Sequence, residues 1–168
     1  MTTTPEQLAA AVTTAAAAEL AKAFGRIQHC VDQLTDEQIW WRPGADFNSI
    51  ANLMLHLAGN LRQYVVAGLG GLPDIRQRPQ EFAERGPMPK GELLRRLEEV
   101  VTEARKTLTG LSADELLRVR RVQKADVNAL EALFRCVPHF QGHTQEIIHL
   151  TRRQLGDAYR FAGPPATA

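Results

Sequence analysis

"GELLRRLEEVVTEARKTLTGL", residues 91–111, sets Leu93, Leu94, Leu97, Val100, Val101, Ala104 and Leu108 on one helical face, with the charged residues opposite. Such a helix is stable in water only when other elements cover its apolar stripe. The flanking sequence supplies covers of the same kind. Upstream, "FNSIANLMLHLAGNLRQYVVAGLGG" (47–71) starts from a cap at Asn48 or Ser49 and carries Ile50, Leu53, Met54, Leu57, Leu61, Tyr64 and Val65 at helical spacing. Glycines at 68, 70 and 71 end it. Further upstream, Thr4-Pro5-Glu6-Gln7 reads as a capping box with proline in the first turn, opening a helix to about Gln33. Downstream, Asn128 with Glu131 predicts the cap of a last helix, running to Leu155 before Gly156. With four long amphipathic segments and almost no alternating β-branched run, the expected fold is all-α, a four-helix bundle.

The connections also carry signals. "QLTDEQIWW" offers Thr35 with Gln38, and "GLSADELLR" offers Ser112 with Glu115, so each predicts a short capped helix at the same relative place. This echo suggests two helical hairpins of similar plan. Between helices two and three, residues 69–90 contain Pro73, Pro79, Pro87 and Pro89 and are expected to form a long crossover loop. A connection of that length usually serves as a lid, a binding loop or a partner contact.

The chain has 168 residues, expected to form a single domain (1–168) with a loosely ordered tail at 157–168, and can bury a core without disulfides or structural metal. Its 20 basic and 19 acidic residues give a formal net charge of +1, which offers no reason to expect nucleic acid or a membrane surface as partner. Cys30 and Cys136 make no recognised metal or disulfide spacing and fit a reducing compartment. The N-terminal stretch lacks a basic region and a compact apolar core, and no apolar run reaches the length of a membrane span, so a cytoplasmic protein is expected.

Chemistry concentrates in "VPHFQGHTQEII" (137–148). His139 and His143 are four residues apart, so one helix presents both imidazoles from one face, one turn apart, to a divalent metal. Pro138 removes the backbone bond to residue 134 and is expected either to aim His139 or only to bend the helix around its neighbours. On helix two, Asn52, His56 and Asn60 recur every four residues, with Gln63 continuing this polar line through an apolar helix. Gly59 beside it lets another group approach closely. His56, His139 and His143 are therefore the candidate metal ligands, leaving an open position of the kind found in reactive sites. His149 lies about 120° round the helix from His143 and is expected to face solvent or the last turn's carbonyls. For His29 a surface or hydrogen-bonded role is expected.

In the crossover, Arg76 and Arg78 are candidate substrate-binding residues that can clamp a carboxylate or phosphate; the competing use is to tie the loop to Glu81 or Glu84. Asn60 is a third substrate-binding candidate. Trp40 and Trp41 read as core plugs at a bundle end, and Cys136 as a packed thiol.

Taken together, "WWRP", "NSIANLMLHLAGNLRQY", "DIRQRPQEF" and "HFQGHTQEIIHLTRRQLG" resemble the DinB-like superfamily of YfiT-type metal-dependent proteins, over about Leu20 to Gly156. The resemblance implies a four-helix bundle, commonly dimeric, with nickel or zinc on His56, His139 and His143. It also implies a homodimer acting on a small-molecule substrate. Relatives that are thiol S-transferases or isomerases imply a low-molecular-weight thiol as co-substrate, bound to the metal as thiolate. One departure stands out: His143-Thr144-Gln145-Glu146-Ile147 replaces the "HTGQI" typical of the subgroup. Glu146 lies on the histidine face and is a candidate fourth ligand, general base or hydrogen-bond partner of an imidazole, against a plain ion pair with Arg62 or Arg153. As base it implies a metal-dependent hydrolase; as fourth ligand, a non-catalytic, stress-associated metal-binding module.

Overall fold

The computed structural model describes residues 2–163. Its elements are α1 (Pro5–Asp32), α2 (Asp36–Trp40), α3 (Ile50–Leu61), α4 (Arg78–Ala83), α5 (Lys90–Thr109), α6 (Ala113–Leu117), strands β1 (Arg120–Val122) and β2 (Ala125–Val127), and α7 (Ala129–Leu155). The four long helices α1, α3, α5 and α7 build the expected bundle. Helix α1 packs against α5 and α7, and α3 packs against the same two. Helices α1 and α3 therefore stand at opposite corners, as do α5 and α7, while α3 and α5 are neighbours, so the hairpins suggested by the echo are not side-by-side pairs. Leu20 and Ile27 of α1, Leu53 and Leu57 of α3, Leu93 and Leu97 of α5, and Phe140 and Ile147 of α7 meet in one continuous apolar core.

Local sequence sets the ends of these elements. Capping boxes form at Thr4/Gln7, Thr35/Gln38, Ser112/Glu115 and Asn128/Glu131, as the spacing predicts, and a fifth forms at Ser49/Asn52, where the sequence offered only a cap at Asn48 or Ser49. Each satisfies otherwise orphaned N–H groups and contributes about 1 kcal/mol. Helix α7 runs through Pro138 as one element, with the proline on its exposed side, where the lost N–H bond is least harmful.

The structure corrects the sequence reading in four places. The crossover is not wholly irregular, because α4 forms within it with Pro79 in its first turn. The segment before α7 closes as an antiparallel hairpin, Val122 pairing with Ala125, which no Asn-Gly or Asp-Gly turn announces. Helix α3 gives way to a π-helical segment over Arg62–Ala67. Finally, α1 is, by length and composition, apolar enough to cross a membrane. Here it is a bundle helix, burying Ala9, Thr13, Ala17, Leu20, Ala23 and Ile27 along one face.

Beyond α7, the chain returns to α1. The carbonyl of Arg160 lies 2.7 Å from His29 Nε2, and the Arg160 N–H donates to Gln33 Oε1 at 2.7 Å. His29 thus has the hydrogen-bonded role expected of it, and this part of the C-terminal segment is tied down. The remainder of the tail, 164–168, lies outside the described residues.

Candidate metal centre

The polar line on α3 works as a set of anchors for the crossover. Asn52 is fully buried and caps its own helix; its amide also donates to the carbonyls of Glu81 (2.8 Å) and Glu84 (3.0 Å), while its oxygen accepts from Ser49 and Arg42. Those bonds pin α4 against the start of α3. Two turns along, Gly59 leaves the space into which α4 sends a side chain: a Cβ there would lie 2.0 Å from Glu81 Oε1 and 2.8 Å from its Cδ. The close approach that Gly59 permits is thus made by the Glu81 carboxylate.

Glu81 is the hinge of the site. One oxygen accepts from Arg76 Nε at 2.7 Å; the other accepts from Arg76 Nη2 at 2.8 Å and from His56 Nδ1 at 2.9 Å. Arg76 Nη2 also lies 3.1 Å from His56 Nδ1, which is the convergence of two donors on one acceptor. Burial alone would raise the Glu81 carboxyl, but the hydrogen bonds from Arg76 and then His56 outweigh it and hold it below its ordinary range. An ionised carboxylate on Nδ1 keeps the proton there. His56 Nε2 is left with a free lone pair pointing away from α4.

That lone pair meets the histidines of α7. His56 Nε2 and His139 Nε2 are 2.9 Å apart, a distance two lone pairs do not tolerate without a proton or a cation between them. The three rings stand nearly perpendicular to one another, with centroids 5.1, 5.2 and 4.6 Å apart, and one nitrogen from each lies within 4.8 Å of the others. A tetrahedral cation with metal–nitrogen bonds of about 2.1 Å needs donors roughly 3.4 Å apart, which this spread brackets. Burial, then the neighbouring His143, His56 and arginines, depress His139 to about 4, so at neutral pH its lone pair is free of protons. On His143, Nδ1 lies 2.8 Å from Glu146 Oε2, leaving Nε2 for ligation. Two of three candidate ligands thus have their second nitrogen held by a carboxylate, the arrangement that fixes tautomer and ring direction at metal sites. The donor set fits a divalent transition metal.

The other sequence candidates fall into place around this group. Asn60, Arg76 and Arg78 all line a cavity of about 360 Å³ that reaches His56 and His139. Arg76 is nevertheless engaged throughout, since Nη1 donates to Gln63 Oε1 at 2.9 Å and its other nitrogens to Glu81. Arg78 instead lies over the ring of Phe82, 5.1 Å from its centroid. His149 is exposed and outside the group. Trp40 donates its indole N–H to the carbonyl of Met88 at 2.9 Å, while Trp41 remains 38% exposed and is not a core plug. Burial pushes the Cys136 thiol up to about 12, so it is an inert packed group at neutral pH.

Three participants escaped the sequence reading in the roles they hold. Glu81 was visible only as an ion-pair partner of the loop, because nothing in sequence spacing shows which histidine a distant α4 will touch. Gln123 sits at the hairpin tip with φ 55° and donates to Gln63, tying the hairpin to the Arg76 network. Arg135, which also lines the cavity, does carry a signal: it precedes His139 by four residues and shares its face.

Gly59→Ala is expected to destabilise the protein by about 2–4 kcal/mol, because the methyl must displace a carboxylate pinned by a buried guanidinium. Gly142→Ala is the control: a Cβ there meets nothing within 4 Å, and better helix propensity should stabilise by about 1 kcal/mol. Denaturant midpoints of the two variants check both signs.

Comparison with known families agrees with the helical-bundle fold. A family model described as "Protein of unknown function (DUF1572)" matches residues 8–165. The chain belongs to the DUF1572 family. Among solved structures, a conserved protein from Enterococcus faecalis is similar at a TM-score of 0.73 with 21% identity, covering 86% of this chain and 98% of that one. A DinB-like protein from Bacillus cereus is similar at a TM-score of 0.63 with 16% identity, covering 80% of this chain and 86% of that one. A DinB-like protein from Bacillus subtilis matches at a TM-score of 0.63 with 12% identity, over 83% and 91% of the two chains. No curated protein matches the sequence. This DUF1572 chain is thus DinB-like in fold, as its "HLAGN" and "HFQGHT" segments suggest.

Proposed function

We propose that this protein is a metal-dependent enzyme of the thiol S-transferase type, holding zinc or nickel on His56, His139 and His143. The observation that carries the proposal is the convergence of three imidazoles beside an open cavity, with Glu81 and Glu146 holding the outward nitrogens of two of them. An all-nitrogen, neutral donor set favours a transition metal over magnesium or calcium. When bound, the cation supplies Lewis acidity, lowering the pKa of a thiol or water that takes its open position. The chain's own residues do the rest. Glu81 and Glu146 fix the imidazoles, Arg76 keeps Glu81 ionised, and Asn52 holds α4 so that the cavity stays formed.

In this reading Glu146 is a positioning group, its Oε2 paired with His143 Nδ1 at 2.8 Å so that the ring turns Nε2 toward the other two histidines. We further propose that the enzyme works in the reducing cytoplasm as a homodimer. The supporting feature is an apolar groove between α1 and α7 at Val12, Ala16, Leu133 and Val137, beside the 75%-exposed Phe134.

The test is a cobalt-substituted, untagged protein titrated with a small neutral thiol. Transferase chemistry requires a sulfur-to-cobalt charge-transfer band saturating at one thiol per chain. A spectrum that no thiol perturbs would remove the thiol reading.

A further inference from the structure

The cavity beside the histidines has a charge pattern that the metal site does not use. Three guanidiniums line it, from Arg76, Arg78 and Arg135. Arg76 is neutralised by Glu81, and each of its three nitrogens already donates to Glu81 or Gln63. Arg78 and Arg135 differ: both are exposed, and among the described residues neither forms an ion pair with a carboxylate. They reach the cavity from different elements, Arg78 from the start of α4 and Arg135 from α7 one turn ahead of His139. Arg78 is steadied by the face of Phe82, whose ring also lies 4.8 Å from that of His56, so one aromatic side chain couples the guanidinium to a ligand ring. Uncharged groups, Asn60, Tyr64, Gln123 and Cys136, complete the wall, and among the described residues no carboxylate lines it. A cation on the three histidines would add to this one-sided field.

We propose that Arg78 and Arg135 form a subsite for the oxyanion group of the substrate, a carboxylate or phosphate, while the substrate's reacting end faces His56 and His139. Two unpaired guanidiniums around a concave, carboxylate-free wall match the planar, multidentate acceptor such groups present. The inference deepens the enzymatic reading by naming the substrate class, and rests on that reading only for what the other end of the ligand does.

The cobalt-substituted protein should be titrated with 3-mercaptopropionate and, separately, with 3-mercapto-1-propanol, which has the same chain length but no charge. The acid should bind at least about tenfold more tightly at low salt, and added salt should shrink the difference. In the R78Q/R135Q double variant the preference should fall below about threefold, while the alcohol binds as before and cobalt content is unchanged. Competition by acetate against inorganic phosphate then tells which oxyanion the subsite prefers. Equal binding of acid and alcohol, or a preference that survives in the double variant, overturns the proposal. If the protein takes up no cobalt, the metal reading has failed and the subsite is judged alone. Inorganic phosphate should then broaden its phosphorus resonance with the wild-type chain and not with the double variant, and absence of broadening in both overturns it. Both arginines are exposed, so the double variant should melt within about 2 °C of wild type.

Discussion

His139→Ala protein should lose its metal while keeping its fold. A complete four-ligand zinc site binds with an apparent 10–16 kcal/mol, so one nitrogen ligand is worth roughly 3–4 kcal/mol, or two to three orders of magnitude in affinity. Elemental analysis of untagged protein should give about one metal per wild-type chain and little or none for the variant. Competition with a chromophoric chelator measures the ratio. His149→Ala, on the same helix but exposed and outside the histidine group, should retain its full complement. Because the core is continuous through all four long helices, the metal-free variant should unfold cooperatively, its midpoint lower only by the lost linkage to metal. Full metal content in His139→Ala would remove the ligand assignment.

The sequence made the scaffold and the three clustered histidines legible for one physical reason: the signals for each lie in spacing along individual helices. Helical periodicity and capping chemistry are local, and the four capping boxes read from the spacing all formed. His139 and His143 share a face by the same rule, and the polar line on α3 marked His56 as needing a partner. What local pattern does not encode is which element meets which. The diagonal placement of α1 with α3 and of α5 with α7 follows from packing of whole faces, and the hairpin tip at Gln123 lacks a turn signal. Glu81 illustrates the limit most clearly. It lies 25 positions from His56 in sequence, and only the docking of α4 through Asn52, together with the missing side chain at Gly59, brings the two together. The polar line was therefore correctly seen as demanding partners, but their identity required the fold.

That dependence makes Glu81→Ala the second large effect expected. Only 10% of the Glu81 side chain, 4% of Arg76 and 6% of His56 is exposed, so deletion of the carboxylate strands a buried guanidinium and an imidazole N–H together. Breaking a buried pair from one side costs about 3–5 kcal/mol. For a chain of this size that is a fall in Tm of roughly 10–15 °C. Metal affinity should drop a further 10- to 100-fold, because His56 loses the group that fixes its tautomer and ring direction. The two losses have different origins and can be separated. Glu81→Gln keeps an acceptor for His56 Nδ1 and should recover part of the stability, while its missing charge still weakens metal binding. Replacing both partners, Arg76→Met with Glu81→Leu, removes the stranded charge and should restore most of the stability. It should leave metal affinity as poor as in Glu81→Ala, since no carboxylate remains on His56. Metal affinity in the double variant equal to wild type would mean that Glu81 serves only to neutralise Arg76. A stability loss below about 1 kcal/mol in Glu81→Ala would mean that α4 does not hold the carboxylate against the bundle at all.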